Sequence, residues 1–90
     1  IIIMSIIKKK CWPEYFNEIL SGKKKFEFRV ADFDVSDGDT LILEEWDPNT
    51  KDYTGRTIEK KISHHLHLKP EDFNKFGDIS KNGFYIISLE

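Results

Sequence analysis

Two charged side chains at a fixed spacing, Glu27 and Arg29, are the residues of this sequence best suited to chemistry. They lie in the stretch S-G-K-K-K-F-E-F-R-V at positions 21–30, where polar and apolar residues alternate as they do on a β-strand. Phe26 and Phe28 then point to one face of the strand, and Glu27 and Arg29 point to the other, roughly 6.6 Å apart. A carboxylate and a guanidinium held side by side can bind a polar or anionic ligand.

Three consecutive lysines, Lys23 to Lys25, stand at the entry to that strand. They directly follow Gly22, which is placed to end a helix. A helix end, a cationic turn and a charged strand face together favour a ligand site. A second interpretation stays open, because lysines after a helix also meet the negative end of its dipole. In that case Glu27 and Arg29 would form an ordinary solvated strand face.

Length and cysteine content indicate one small intracellular domain. The 90 residues leave no room for a second domain, so residues 1–90 are interpreted as one unit. Cys11 has no partner for an internal disulfide, which suits a reducing compartment and predicts a cytoplasmic protein. The apolar stretch Ile1–Ile7 is too short to span a bilayer and is followed by three lysines. It predicts a first β-strand, and no association with a membrane.

Charge is distributed unevenly along the chain. The net charge is −2, which argues against strong non-specific binding to nucleic acid. Residues 1–30 nevertheless carry seven basic against three acidic side chains, whereas residues 31–90 carry seven against thirteen. A basic end on an acidic body can steer an anionic ligand to one face, so the charges permit a nucleic-acid partner without requiring one.

Hydrophobic periodicity and turn residues predict a mixed α+β domain. The main helix follows Trp12, starts with Pro13 and ends before Gly22, with Phe16, Ile19 and Leu20 as its apolar stripe. Strands are predicted near residues 24–30, at 40–46, on the return of a hairpin that ends near 65, and at 84–89. A short helix is predicted at 70–76. Bulky apolar residues on both faces of 84–89 predict a strand in the middle of the sheet, and the whole predicts a small barrel-like fold.

Two clusters contain residue types that can bind metal ions, one of aspartates and one of histidines. The aspartates in residues 32–39 lack the spacing of a calcium loop and are interpreted as turn formers. His65 and His67 share a strand face and would suit zinc, but no third ligand has a matching spacing. A solvated or hydrogen-bonded histidine cluster, with His64 included, is favoured instead. We expect no metal and no cofactor.

Several short motifs follow one another in the order seen in a known family. The core is G-x-K-x-x-E-x-R, formed by Gly22, Lys24, Glu27 and Arg29. It resembles the signature of ASCH domains, which belong to the PUA-like superfamily of small β-barrels. Further motifs resemble a subgroup of short bacterial and phage ASCH-type proteins of unassigned function, and they are K-x-W-P-x-Y-F at 10–16, G-D-x-L-x-L-x-E-W-D-P at 38–48, Y-T-G-R at 53–56 and I-I-S-L at 86–89.

The resemblance implies a PUA-like barrel of about five strands that binds RNA in a cleft lined by the signature. The first hypothesis is therefore an RNA- or nucleotide-binding module. Arg29, positioned by Glu27, would offer a planar fork to phosphate or to a base edge. The other proposed contacts are phosphate contacts by Lys23, Lys24 and Arg56, and base stacking by Tyr53 or Trp12. No obligatory protein partner is evident.

Two alternatives stay open. A few small relatives hydrolyse an acylated cytidine, although they carry a Thr where this chain has Glu27. A hydrolase acting on a modified nucleoside would use Lys24 to activate water and Glu27 to shuttle a proton. Strict alternation puts these two on opposite faces, so the turn after Gly22 would have to redirect the lysine. The third alternative is a protein-interaction domain whose hairpin tip, 46–56, contacts a partner.

Overall fold

The computed structural model describes residues 4–69, 71 and 82–90 of the chain. Within these residues it has one α-helix and five β-strands, which makes the protein a small α+β domain. The elements are β1 (Ile6–Cys11), α1 (Pro13–Leu20), β2 (Phe26–Val30), β3 (Thr40–Asp47), β4 (Asp52–Leu68) and β5 (Phe84–Leu89). The predicted short helix at 70–76 lies outside the described residues apart from Glu71.

The strands form one sheet with the order β1-β3-β4-β5-β2. β1 runs parallel to β3, and the other neighbouring pairs are antiparallel. β4 is 17 residues long and pairs with β3 over its first part and with β5 over its second, with a register shift between Ile62 and His64. The predicted hairpin is confirmed, but its tip is shorter than the predicted 46–56, because β3 extends to Asp47 and β4 starts at Asp52. The central position of the last strand is also confirmed, since β5 lies between β4 and β2.

Helix α1 begins and ends where the local signals predicted. Trp12 is the N-cap residue with extended backbone, and Pro13 occupies the first turn, where its missing N–H costs nothing. Gly22 lies two residues past the helix with φ of 83°, a left-handed conformation that glycine adopts without steric strain. Phe16 and Ile19 are buried as predicted, but Leu20 is exposed, so the predicted apolar stripe is wrong at its last member.

The core lies between the helix and the inner face of the sheet, and α1 packs against β3. The fully buried side chains are Phe16, Ile19, Leu41, Leu43, Ile62 and Ile87. Leu41 and Leu43 face this core from β3, as the sequence predicted. Alternate residues of β5, namely Tyr85, Ile87 and Leu89, add to it.

The first strand differs from the prediction in its position. It was expected at Ile1–Ile7 and to end at the lysines, whereas β1 runs from Ile6 through Lys8–Lys10 to Cys11. A strand can contain consecutive lysines because the aliphatic part of the side chain packs while the ammonium group stays hydrated. Lys9 does so: its Nζ lies 3.8 Å from the ring centroid of Phe33 and 3.9 Å from Oδ1 of Asp32.

The described sheet is not closed by main-chain pairing, because its order ends at β1 on one side and at β2 on the other. A side chain joins these two edge strands instead: Nη2 of Arg29 on β2 donates a hydrogen bond of 2.7 Å to the main-chain oxygen of Lys10 on β1. An opening lies in the gap between the two edges. In the described ranges, no helix has the length and apolar character needed to cross a membrane.

Candidate functional site

Glu27 is buried at the edge of the sheet, with only 2% of its surface exposed. The alternation on β2 is as predicted, but the charged face points inward, while Phe26 and Phe28 point outward and are half exposed. An ordinary solvated face for Glu27 is therefore excluded. A buried carboxylate needs charged or hydrogen-bonding partners, and Glu27 has two cations: Lys24 and Arg29.

Lys24 reaches Glu27 from the turn that precedes the strand. Its main-chain N–H donates to the Glu18 oxygen at 3.0 Å, so the chain after Gly22 folds back on the end of α1. Because β2 begins only at Phe26, strand alternation does not apply to Lys24. Its Nζ lies 3.3 Å from Oε1 of Glu27. The turn after Gly22 therefore does direct the lysine side chain towards the glutamate.

Arg29 is the second cation on Glu27, and its geometry is better defined. Its Nε donates to Oε2 of Glu27 at 2.7 Å, and its Nη2 donates to the Lys10 carbonyl oxygen at 2.7 Å. Two bonds from different nitrogens hold the plane of the guanidinium. Nη1 has no hydrogen-bond partner among the residues that the structure describes, so it can still donate to a ligand.

These three side chains line a cleft of about 570 Å³ between the edges of β1 and β2. Three of its lining residues carry positive charge and one carries negative charge, so an anion is favoured there. Three large aromatic residues also line it, with 47%, 48% and 56% of the surface exposed for Trp12, Tyr15 and Phe28. The ring of Phe28 stacks on that of Phe84, with the ring centroids 5.1 Å apart. The full lining is Lys10, Cys11, Trp12, Tyr15, Lys24, Glu27, Phe28 and Arg29.

Two lysines of the cleft lie against aromatic rings: Lys24 against a ring of the cleft lining, and Lys10 against two rings outside that lining. Nζ of Lys24 is 5.1 Å from the ring centroid of Tyr15, and Nζ of Lys10 is 4.7 Å from that of Trp46 and 5.8 Å from that of Tyr53. Such contacts stabilise a cation that remains partly hydrated. The contact between Lys24 and Tyr15 keeps a positive charge next to an exposed aromatic ring of the cleft, a combination that suits a phosphorylated aromatic ligand.

Cys11 lies at the base of the cleft and is buried. Burial, followed by the negative charge of Glu27, raises the pKa of its thiol to about 11. The thiol therefore stays protonated at neutral pH, and a protonated thiol is a poor nucleophile. Cys11 serves the site as a small apolar floor.

The comparisons with known proteins bear on the whole chain. Residues 6–83 match the family described as "Domain of unknown function (DUF3850)". The chain belongs to the DUF3850 family. It is also 40% identical over 62 residues to the "Uncharacterized 12.9 kDa protein in GpA 3'region" of Escherichia phage P2; the match takes in 69% of this chain and 55% of that protein. The chain therefore spans about half the length of this relative.

The fold of this DUF3850 domain is similar to that of a solved structure. The crystal structure of hypothetical protein PH0355 matches with a TM-score of 0.64, covering 97% of this chain and 98% of that one. The sequences are 20% identical, so the likeness concerns the fold alone.

Of the site residues predicted for this DUF3850 domain, Trp12, Lys24, Glu27 and Arg29 come together in the cleft. Lys23 is exposed beside it, and Tyr53 is half exposed and lies near Lys10. The sequence did not single out Lys10, Cys11, Tyr15 and Phe28 as site residues. Tyr15 follows Trp12 by three residues, a spacing that puts two exposed aromatic rings on one side of the helix start and could have indicated it.

Arg56 lies outside the cleft, where it clamps the β3–β4 hairpin to the helix. Its Nε and Nη2 donate to Oε1 and Oε2 of Glu45 at 2.9 and 2.7 Å, and Nη2 also donates to Oδ1 of Asn17 at 2.9 Å. Thr54 donates to the same carboxylate at 2.5 Å. These hydrogen bonds lower the pKa of Glu45 to about 2, and the bonding to Arg56 has the largest effect.

The histidines form the hydrogen-bonded cluster that the sequence favoured. Nδ1 of His65 and Nδ1 of His64 lie 2.6 and 3.2 Å from the two carboxylate oxygens of Asp37. The bonds to His65 and then His64 hold the pKa of Asp37 below its ordinary range. His67 donates through Nε2 to the Asn82 carbonyl oxygen at 2.7 Å. In the part of the chain that the structure describes, no group of three or more His, Cys, Asp or Glu is placed to hold a metal ion.

Proposed function

We propose that this DUF3850 domain is an RNA- or nucleotide-binding module whose ligand occupies the cleft between β1 and β2. One observation carries the proposal: three cations and three exposed aromatic rings line the same opening. Phosphate is attracted by the cations, and a base stacks on an aromatic ring, as in proteins that bind single-stranded nucleic acid. The cleft volume of about 570 Å³ lies within the range usual for small-ligand sites.

Each side chain has a distinct role in this proposal. Arg29 donates to a phosphate or to a base edge, and Glu27 keeps its guanidinium in a fixed plane. Lys24 and Lys10 meet phosphate as point charges, while Trp12 stacks on the base. Lys23, Tyr53 and Arg56 lie beyond the cleft and would meet a strand that extends past it. Arg56 contributes least, because three of its hydrogen bonds already go to Glu45 and Asn17.

The same proposal includes ASCH-type, PUA-like character for the fold. In its support, Gly22, Lys24, Glu27 and Arg29 of the signature lie in or next to one cleft. The bond from Arg29 to the main chain of Lys10 also draws the two edge strands towards each other. A barrel with an opening between β1 and β2 would have this arrangement.

The test is a titration of the protein with adenosine, adenosine 5′-monophosphate and a ten-residue oligoadenylate, followed by amide chemical shifts. We expect the largest shifts at Lys10–Trp12 and Lys24–Arg29, with residues 59–61 of β4, which do not line the cleft, as an internal reference that does not move. Shifts of equal size over the whole surface, or none with any of the three ligands, would contradict the proposal.

A second candidate function rests on the distance of 3.3 Å between Nζ of Lys24 and Oε1 of Glu27. Such a pair can pass the proton of an attacking water to the leaving nitrogen while an acyl C–N bond breaks. The protein would then hydrolyse an acylated cytidine to cytidine and a carboxylic acid. Release of cytidine from N4-acetylcytidine, abolished in Glu27→Gln, would support this function. Unchanged substrate after prolonged incubation with stoichiometric protein would exclude it for this compound.

A further inference from the structure

A second cavity of about 450 Å³ adjoins the cleft at the end of helix α1. It is lined by Tyr15, Glu18, Lys23, Lys24 and Phe26, and it shares Tyr15 and Lys24 with the cleft. The two cavities are therefore neighbours separated by a common wall. A ligand that fills one of them passes Lys24 before it enters the other.

The second cavity repeats the chemistry of the first. Two lysines stand against one glutamate, so its lining is also positive overall. Phe26, with 51% of its surface exposed, provides an aromatic surface that is not part of the cleft lining. This ring lies on the outer face of β2, where it is accessible to a ligand.

Lys24 belongs to the lining of both cavities and lies against the two aromatic rings of the second one. Its Nζ is 5.1 Å from the ring centroid of Tyr15 and 5.5 Å from that of Phe26, and it is anchored by Glu27 at 3.3 Å. An ammonium group fixed at this point is placed to meet a phosphate that links two bases. One base would stack on Trp12 in the cleft and the other on Phe26 in the second cavity.

We infer that the ligand is a single strand at least two nucleotides long, with one base in the cleft, the next in the second cavity, and the linking phosphate at Lys24. This inference rests on the function proposed above. Its distinctive content is that Phe26 and Lys23 recognise the second nucleotide and contribute nothing to the first.

The test compares adenosine 5′-monophosphate with the dinucleotide pApA by isothermal titration calorimetry. We expect pApA to bind at least tenfold more tightly than the mononucleotide. Phe26→Ala should lower the affinity for pApA about tenfold and leave the affinity for the mononucleotide unchanged. Trp12→Ala should weaken both ligands, because the first base binds in the cleft in either case.

Two further variants make this comparison more stringent. Leu66→Ala removes another exposed apolar side chain, one outside both cavities, and should change neither affinity. Lys23→Gln repeats the test without touching an aromatic ring, and should weaken pApA only.

Equal affinities for the two ligands, or a Phe26→Ala protein that binds pApA as tightly as the unaltered one, would overturn the inference and leave the proposed function standing. Failure of both ligands to bind the unaltered protein would instead overturn the proposed function, and this inference with it.

Discussion

Arg29 binds Glu27 on its own strand and, at the same time, the main chain of the opposite edge strand. Oε2 of Glu27 accepts from Nε of Arg29 at 2.7 Å, while Nη2 of the same guanidinium donates to the Lys10 carbonyl oxygen on the opposite edge strand at 2.7 Å. The pair thus has a structural role, and in the proposed function it would also have a binding role. It joins β2 to β1, and it presents a cation whose orientation is set before any ligand arrives, which lowers the entropic cost of binding.

The first prediction concerns the buried carboxylate. Glu27→Gln keeps the shape of the side chain but removes the charge that Lys24 and Arg29 share. We expect a loss of about 1–3 kcal/mol in the free energy of unfolding, because two partly buried cations lose their counter-charge. Urea denaturation measures it, with Glu59→Gln at an exposed position of β4 as the control. Equal denaturation midpoints for the two variants would show that the carboxylate is not needed for folding.

The second prediction is a pH dependence due to Glu45. Its pKa is lowered in the folded state from an ordinary value of 4.5 to about 2, chiefly by Arg56. Between these values the unfolded chain binds more protons, so the stabilisation is complete above about pH 4.5 and is lost as the pH falls through 2. Arg56→Met removes the cause of the shift. Melting temperatures of both proteins should therefore differ at pH 6 and converge towards pH 2, whereas a constant difference would disprove the link.

A third prediction separates two glycines with the same backbone conformation. Gly83 and Gly55 have φ of 71° and 94°, where any other residue is strained. A Cβ at Gly83 would lie 2.0 Å from the Leu68 carbonyl oxygen, whereas one at Gly55 would have no atom within 4 Å. Gly55→Ala should cost about 1 kcal/mol, and Gly83→Ala clearly more than that. Thermal denaturation measures both; similar losses would contradict the close packing of Gly83 on β4.

The fourth prediction uses salt. In the proposed function, Lys10, Lys24 and Arg29 contact phosphates of a ten-residue oligoadenylate. A plot of the logarithm of the association constant against the logarithm of salt concentration should then have a slope of about −2. Lys24→Met should reduce that slope by about 0.7, since each phosphate contact on a single strand contributes that amount. A slope that stays the same in the variant would mean that Lys24 does not meet phosphate.

Features that depend on neighbouring residues could be predicted from the sequence. Pro13 and Gly22 delimit α1 within two residues, and apolar residues on both faces of 84–89 indicated the central strand. The alternation on β2 also indicated which side chains share a face. Each of these signals acts within a few positions along the chain, where sterics and periodicity are sufficient.

Features that depend on residues far apart in the chain could not be predicted. Which face of β2 is buried is decided by Lys10, 19 positions from Arg29, and by the pairing of Lys24 with Glu27 through a turn. Phenylalanine would ordinarily be expected inside and glutamate outside. Arg56 likewise appeared free for phosphate, because its bonds to Glu45 and Asn17 arise only after β3 and β4 pair and α1 docks on them.

The most direct test of the central claim removes the two cations that Glu27 holds. The affinity of a fluorescently labelled ten-residue oligoadenylate is measured by anisotropy for the double variant Lys24→Ala with Arg29→Ala. The control is Lys51→Ala with Lys61→Ala, which removes the same charge from two exposed positions that do not line the cleft. We predict a loss of affinity of at least tenfold in the cleft variant and little change in the control. Equal affinities for the two folded variants would contradict the assignment of the cleft as the binding site.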